Sequence, residues 1–297
     1  MKQIHWQDRF GIGVELIDSA HRQLFDIVEK IMELYVERHE DRFACIEGIK
    51  YFKAYAVKHF AEEEAYMREI HYPGYLVHKR LHDRMKRETL PALEEALYAS
   101  DFSTEAVQRF IGVCTGWLTG HILIEDRAIT GRTSLSFRSV RRDDELSVIQ
   151  AVITRPLEEL FGGDIQYLGR FTGSGGIVDA QYYELTYRSR QREPLRFVLV
   201  IGEPLLLRVA GLMFGIDFYA RDEIVRFALQ EIAQNLIQRA EAGFGEASDL
   251  YQLAGDRFLD HTEYVQTFQD HASGHSLLFG AGQERFALRI DRLPEDG

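Results

Sequence analysis

Apolar residues recur at helical spacing through the first third of the chain. Leu24, Ile27, Val28, Ile31, Leu34 and Tyr35 fall three and four apart, the pattern of a helix that buries one face. This periodicity predicts a helix to about Arg38, with Asp18 and Ser19 as candidate caps. A second predicted helix runs from about Phe43 to Ile70 and stops at His71-Tyr-Pro-Gly74. A third covers about Tyr75 to Tyr98 and contains Pro91, which lacks an N–H and is expected to kink or end it. A fourth covers about Thr104 to Ala128. Four long helices with short connections predict an antiparallel up-down bundle.

Beyond residue 145 the period changes. Residues 146–160 read as helical, and Ile177–Tyr187 and Leu195–Ile201 as strands around the polar turn Arg188–Glu193. Helices are predicted over Glu203–Phe214 and Asp222–Gly243, and a closing hairpin over Ser276–Phe279 and Arg285–Ile290. This is an α+β pattern. Gly173-Ser-Gly-Gly176 lacks the Lys-Ser/Thr ending and following helix of a phosphate loop, and reads as a hairpin turn.

Composition sharpens the boundary. All seven lysines lie between Lys2 and Lys86, eight of the eleven histidines precede residue 122, and glycine becomes commoner after residue 161. The expected organisation is therefore multidomain: an all-α domain over 1–132, a polar linker over 133–144 and an α+β domain over 145–297. The net charge of −12 disfavours nucleic acid and anionic membrane surfaces, which demand a basic footprint. With neither a long apolar run nor a leader-like start, and only Cys45 and Cys114, a cytoplasmic protein with reduced thiols is expected.

The chemistry concentrates in seven residues of the first domain: His21, His59, Glu63, His78, His82, His121 and Asp126. His59 and Glu63 are four apart, as are His78 and His82, so each pair shares a helix face. Glu63 is preferred over Glu62 and Glu64 on the same geometry. His121 and Asp126 are five apart, about 140° around a regular helix. Either Asp126 reaches inward from the side or the helix is locally widened. One set on each of four successive helices, rich in imidazole and with two carboxylates, suits a pair of iron ions. His5, His39 and His71 lie at a terminus or turn and read as solvated, and Glu125 reads as solvated or as support behind a ligand.

These residues stand in longer motifs: Gly13-Val-Glu-Leu-Ile-Asp-Ser-Ala-His21, His59-Phe-Ala-Glu-Glu63 with Met67, Tyr72-Pro73 before His78-Lys-Arg-Leu-His82, and Trp117-Leu-Thr-Gly-His121-Ile-Leu-Ile-Glu-Asp126. In them the first domain resembles the bacterial hemerythrins. The resemblance implies two iron ions with a bridging oxo or hydroxo group. His78, His82 and His121 would lie on one iron, His21 and His59 on the other, and Glu63 and Asp126 across both. It also implies dioxygen as ligand at the iron with fewer histidines, behind an apolar wall drawn from Leu24, Phe25, Phe60, Leu118 and Ile122.

The second domain resembles the CheX-like chemotaxis phosphatases in the order of its elements and in the helix Arg226-Phe-Ala-Leu-Gln-Glu-Ile-Ala-Gln-Asn-Leu-Ile-Gln-Arg-Ala240. Glu231 matches the family's Glu-x-x-Asn pair, but Gln234 stands where Asn is expected, with Asn235 one step on, and Phe227 replaces the acid that often precedes the motif. The resemblance implies a phosphorylated response regulator as partner, an aspartyl-phosphate phosphatase activity carried by Glu231 with Gln234 or Asn235, and a homodimer. Together the two domains suggest an oxygen or redox sensor with a signalling output. The other reading is an oxygen or iron carrier whose second domain only dimerises or docks. A di-iron oxidase fits less well, since such sites are carboxylate-rich.

Overall fold

A computed structural model describes residues 5–34, 42–131, 154, 157–158, 160–161, 163–173, 176–189, 193–220, 223–227, 229–230, 232–234, 251–270 and 275–293. The chain forms two compact units. One is Met1–Phe137 with Ala210–Glu231, the other Arg138–Val209 with Ile232–Gly297.

The first unit is built on long helices: α1 (Glu15–Met32), α2 (Arg42–Glu69), α3 (Tyr75–Arg84), α4 (Leu90–Ala99) and α5 (Thr104–His121). α1 buries Ile17, Leu24, Phe25, Ile27, Val28 and Ile31, the stripe its periodicity predicts. It begins at Glu15, earlier than expected, because Asp18 is not its cap. The Asp18 carboxylate instead accepts from the backbone N–H groups of Ile12 (2.7 Å) and Gly13 (2.9 Å), fastening the entry loop to the first turn. α2 ends where His71 takes a left-handed φ of 53°, and Tyr72 N–H returns to the Met67 carbonyl at 2.9 Å, a closure that satisfies a terminal carbonyl. α5 starts on Ser103, whose hydroxyl accepts from Ala106 N–H at 3.2 Å.

Complete π-helical turns interrupt this regularity after α3 and after α5. Met85–Thr89 separates α3 from α4, and Pro91 then occupies the first turn of α4. A proline there needs no N–H partner, and the widened turn before it accommodates its ring. Ile122–Asp126 forms the second, followed by a last helical turn at Arg127–Ile129. α5 is also unusual in being buried on every side, with each residue from Phe110 to His121 inaccessible. Its inner face packs in the core, where Phe110 meets the Phe52 ring edge-on at 5.6 Å.

The second unit contains one antiparallel sheet of six strands in the order β1-β5-β6-β3-β2-β4. The strands are β1 (Ile165–Arg170), β2 (Ala180–Ser189), β3 (Leu195–Gly202), β4 (Tyr251–Leu259), β5 (His275–Ala281) and β6 (Glu284–Arg292). The β2–β3 and β5–β6 hairpins and α6 (Glu203–Phe214) stand where the pattern places them. β1, β4 and α7 (His261–Asp270) were not legible as elements. Gly173–Gly176 is not a hairpin turn: β1 and β2, which it joins, are not neighbours in the sheet. Phe171, Val198, Val200, Leu259, Tyr264 and Ala287 form a core cluster. Beside it Arg289 and Arg196 both reach Asp291, at 2.8 and 3.3 Å, so these buried charges are paired. Residues 223–227, 229–230 and 232–234 are also helical, and most of 146–160 lies outside the described residues. No helix among the described residues is long and apolar enough to cross a membrane.

Truncating Phe110, fully buried between α5 and α2, is expected to cost about 3–5 kcal/mol. Urea unfolding of metal-free Phe110→Ala, followed by far-ultraviolet circular dichroism, measures this.

Candidate metal centre

The first unit brings all seven residues to one place. His21 comes from α1, His59 and Glu63 from α2, His78 and His82 from α3, His121 from the end of α5 and Asp126 from the π-helical turn after it. The turn answers the question of spacing. A π turn closes five residues on instead of four, so Asp126 returns to the face that His121 occupies. Its carboxylate lies 3.1 Å from His121 Nε2.

The five imidazoles fall into two groups. The Nε2 atoms of His78, His82 and His121 lie 3.2, 3.0 and 2.9 Å from one another, and those of His21 and His59 are 3.1 Å apart. Glu63 and Asp126 stand between the groups. Glu63 Oε2 is 3.2 Å from His82 Nε2, 3.4 Å from His78 Nε2 and 3.9 Å from His59 Nε2. Asp126 turns Oδ1 toward His78 and His121, at 3.3 and 3.1 Å, and Oδ2 toward His21 at 3.2 Å.

Both carboxylates are fully buried, and none of their four oxygens has a hydrogen-bond partner. A buried carboxylate left in this condition costs several kcal/mol. Three mutually close Nε2 atoms cannot satisfy one another either, since each neutral imidazole has one donor and one acceptor nitrogen. A cation among them answers both problems. Glu63 with His78, His82 and His121, and again with His21 and His59, presents donor atoms all within 4.8 Å of one another. The donor set fits a metal site.

Electrostatics set the charge states. Burial would raise the Glu63 carboxyl, but the imidazoles of His78 and His82 hold it well below the usual range. Burial and the repulsion of Glu63 would raise Asp126, and His121 and His21 outweigh them so that it is lowered. Burial and the neighbouring His21 push His59 down to about 3, keeping it neutral, and burial likewise lowers His121. His82 differs. Burial would depress it, yet Glu63 and Glu64 raise it to about 9.

Further contacts complete the site, and those of Glu64, Trp117 and Trp6 come from residues that sequence reasoning did not assign. Glu64 is buried and its Oε1 lies 3.4 Å from His82 Nδ1. A carboxylate behind a ligand imidazole fixes its tautomer and orientation. The indole of Trp117 stacks on His121 at 4.3 Å, Phe60 stacks on His82 at 4.2 Å, and Trp6 faces His21 at 6.3 Å. Trp117 precedes His121 by four residues, so the helical period carried that signal. Leu24, Phe25, Phe60, Leu118 and Ile122 are all buried. Glu125 is buried too, which removes the solvated one of the two roles expected for it. His5 and His71 are exposed as expected, while His39 lies outside the described residues. Of the residues singled out for phosphatase chemistry, Gln234 is half-buried in the helical residues 232–234, and Glu231 and Asn235 lie outside the described residues.

The Hemerythrin HHE cation binding domain family matches residues 12–132. The bacteriohemerythrin of Clostridium acetobutylicum is 34% identical over 128 residues, spanning 41% of this chain and 95% of the relative. That of Stenotrophomonas maltophilia is 28% identical over 163 residues, spanning 54% and 100%. Among solved structures, the chemotaxis protein CheX of Vibrio vulnificus aligns with 52% of this chain and 99% of its own at 14% identity and a TM-score of 0.40. CheX of Desulfovibrio desulfuricans gives 50%, 99%, 11% and 0.38.

Metal uptake at neutral pH is expected to release protons, because His82 is an imidazolium without metal and must lose its proton to bind. The sign follows from the raised pKa: apparent metal affinity falls as pH drops below about 9, and release from this group vanishes above it. Glu64→Gln removes one of the two carboxylates that raise His82, so its release fades at a lower pH. An indicator-dye titration with ferrous iron under argon reads both.

Proposed function

The chain belongs to the hemerythrin family, and on that footing we propose that it is a non-heme di-iron, dioxygen-binding sensor. The division of five Nε2 atoms into three and two around two partnerless carboxylates carries this reading. In it His78, His82 and His121 would hold one iron and His21 and His59 the other, with Glu63 and Asp126 shared between the two and an oxo or hydroxo group completing the centre. When bound, the two ferrous ions supply the electrons that dioxygen draws on.

The protein supplies everything else. Asp126 offers one oxygen to each imidazole group. Glu64 orients His82 so that Nε2 faces inward. The side with two imidazoles has one protein donor fewer, which leaves room for a small ligand. Leu24, Phe25, Phe60, Leu118 and Ile122 are buried, and in this reading they would keep water from the site.

The second unit, in this reading, is the output. Its CheX-like order of elements supports a module that meets a phosphorylated response regulator, with Glu231 docking near the acyl phosphate and Gln234 or Asn235 orienting the attacking water, as a glutamine does in other phosphoryl transfers.

Iron-loaded protein is expected to hold about two irons per chain and to change its visible spectrum reversibly between argon and air. His78→Ala and Glu63→Ala each lose iron and the spectral change. Full iron content in either variant, or a spectrum indifferent to air, defeats the reading. For the output, dephosphorylation of a phosphorylated response regulator is expected to differ between argon and air. Gln234→Ala slows it by about tenfold or more, and equal background rates throughout remove the phosphatase role.

A further inference from the structure

α5 has an inner and an outer face. His121 and Trp117 lie on the inner one, at the metal centre. Thr119 is two residues from His121, roughly 200° around the helix, and so faces the other way. In a four-helix bundle that outer face would meet water. Here it is buried, and the segment Ala210–Glu231, which belongs to the same compact unit, covers it.

The covering contacts are close and run along three turns of α5. Thr119 Oγ1 donates to the Met213 carbonyl at 3.2 Å, with both residues fully buried. Gly112 meets the segment so tightly that an added Cβ would lie 2.7 Å from Phe227 Cβ and 3.3 Å from the Ile224 carbonyl. The Arg109 guanidinium lies 5.8 Å from the Phe227 ring centre. At the segment's other end Gln7 Nε2 donates to the Leu212 carbonyl at 3.2 Å, and a Cβ on Gly215, whose φ is +72°, would come within 2.8 Å of that amide. Met213 and Leu212 close α6, while Ile224 and Phe227 lie in the helical residues 223–227.

We propose that α5 is the transmitting element of the sensor, and that Ala210–Glu231 reads its position through Thr119–Met213 and Gly112–Phe227. The inference rests on the dioxygen-binding reading above and adds its route. α5 is one rigid helix with a ligand imidazole at its end and the carboxylate Asp126 one π turn beyond. A change in what His121 and Asp126 hold displaces the helix along or about its axis. A close-packed contact without a Cβ of clearance cannot absorb that displacement elastically, so the helical residues 223–227 must shift with it. By reciprocity, loosening the outer contact changes how tightly the inner site holds its ligand.

Hydrogen exchange of the full-length, iron-loaded protein under argon and under air tests this. In the wild type, peptides covering 210–231 are expected to exchange at different rates in the two states. In Thr119→Val, which removes the hydroxyl at constant shape, and in Gly112→Ala, which forces Phe227 away, that difference is lost while iron content and the reversible spectrum remain. Half-saturation by dioxygen shifts by about fivefold or more in at least one variant. A reversible spectrum with identical exchange in wild type, or an argon–air difference that survives both substitutions, overturns the transmission route alone. A missing reversible spectrum in wild type overturns the dioxygen reading beneath it.

Discussion

Two carboxylates with no hydrogen-bond partner, sealed in the centre of a helical unit, set the terms for the rest of this structure. Glu63 and Asp126 are fully buried and ionised, and no protein donor satisfies their oxygens. Such an arrangement is tolerable only with positive charge close by. The raised His82 imidazole supplies part of it, and the directed nitrogen atoms of the five histidines leave a place shaped for cations. The long helices have to bring seven side chains from distant parts of the chain to within a few ångströms. The apolar faces that bury α1, α2 and α5 around the centre provide the packing energy that offsets this desolvation.

The centre was largely legible in the sequence because helical spacing is rigid. His59 with Glu63 and His78 with His82 declare a shared face before any coordinate is known. His121 and Asp126 did not, since five residues fit no face of a regular helix, and the π turn at Ile122–Asp126 is a tertiary choice that spacing leaves open. Glu64 was hidden for a related reason. It is turned away from Glu63 on α2, and its role exists only because α3 brings the far side of His82 to it. The first unit's helices were readable to within a few residues, whereas β1, β4 and α7 were not. Their residues alternate weakly and take their burial from partners remote in sequence, as Ile165 does from Ala281 and Leu259 from Tyr182.

α5 carried a signal of a different kind. From Phe110 to Gly120 it has no charged residue, and Gly112, Gly116 and Gly120 stand four apart. An ordinary bundle helix keeps a polar outer face. A helix that is apolar all round must have neighbours all round, so the covering of its far side by residues a hundred positions later was implied, though which residues would do so was not. Glycine at 112 records how near they come.

The π turn after His121 also constrains how this sequence can vary over time. Side chains beyond an insertion or deletion in a helix rotate by about 100° per residue. The segment His121–Asp126 already contains one residue more than a regular turn can hold, and its widened geometry keeps Asp126 in phase. Deleting any one of its four intervening residues would return the helix to regular form and bring a carboxylate to i+4. Everything after it, Ile129 and the Thr130 hydroxyl that reaches back to the Ile12 carbonyl, would keep its phase, because the widened turn had absorbed that one residue. A further insertion has no such slack and would swing both out of place by about 100°, so at this point the chain can shorten by one residue far more easily than it can lengthen.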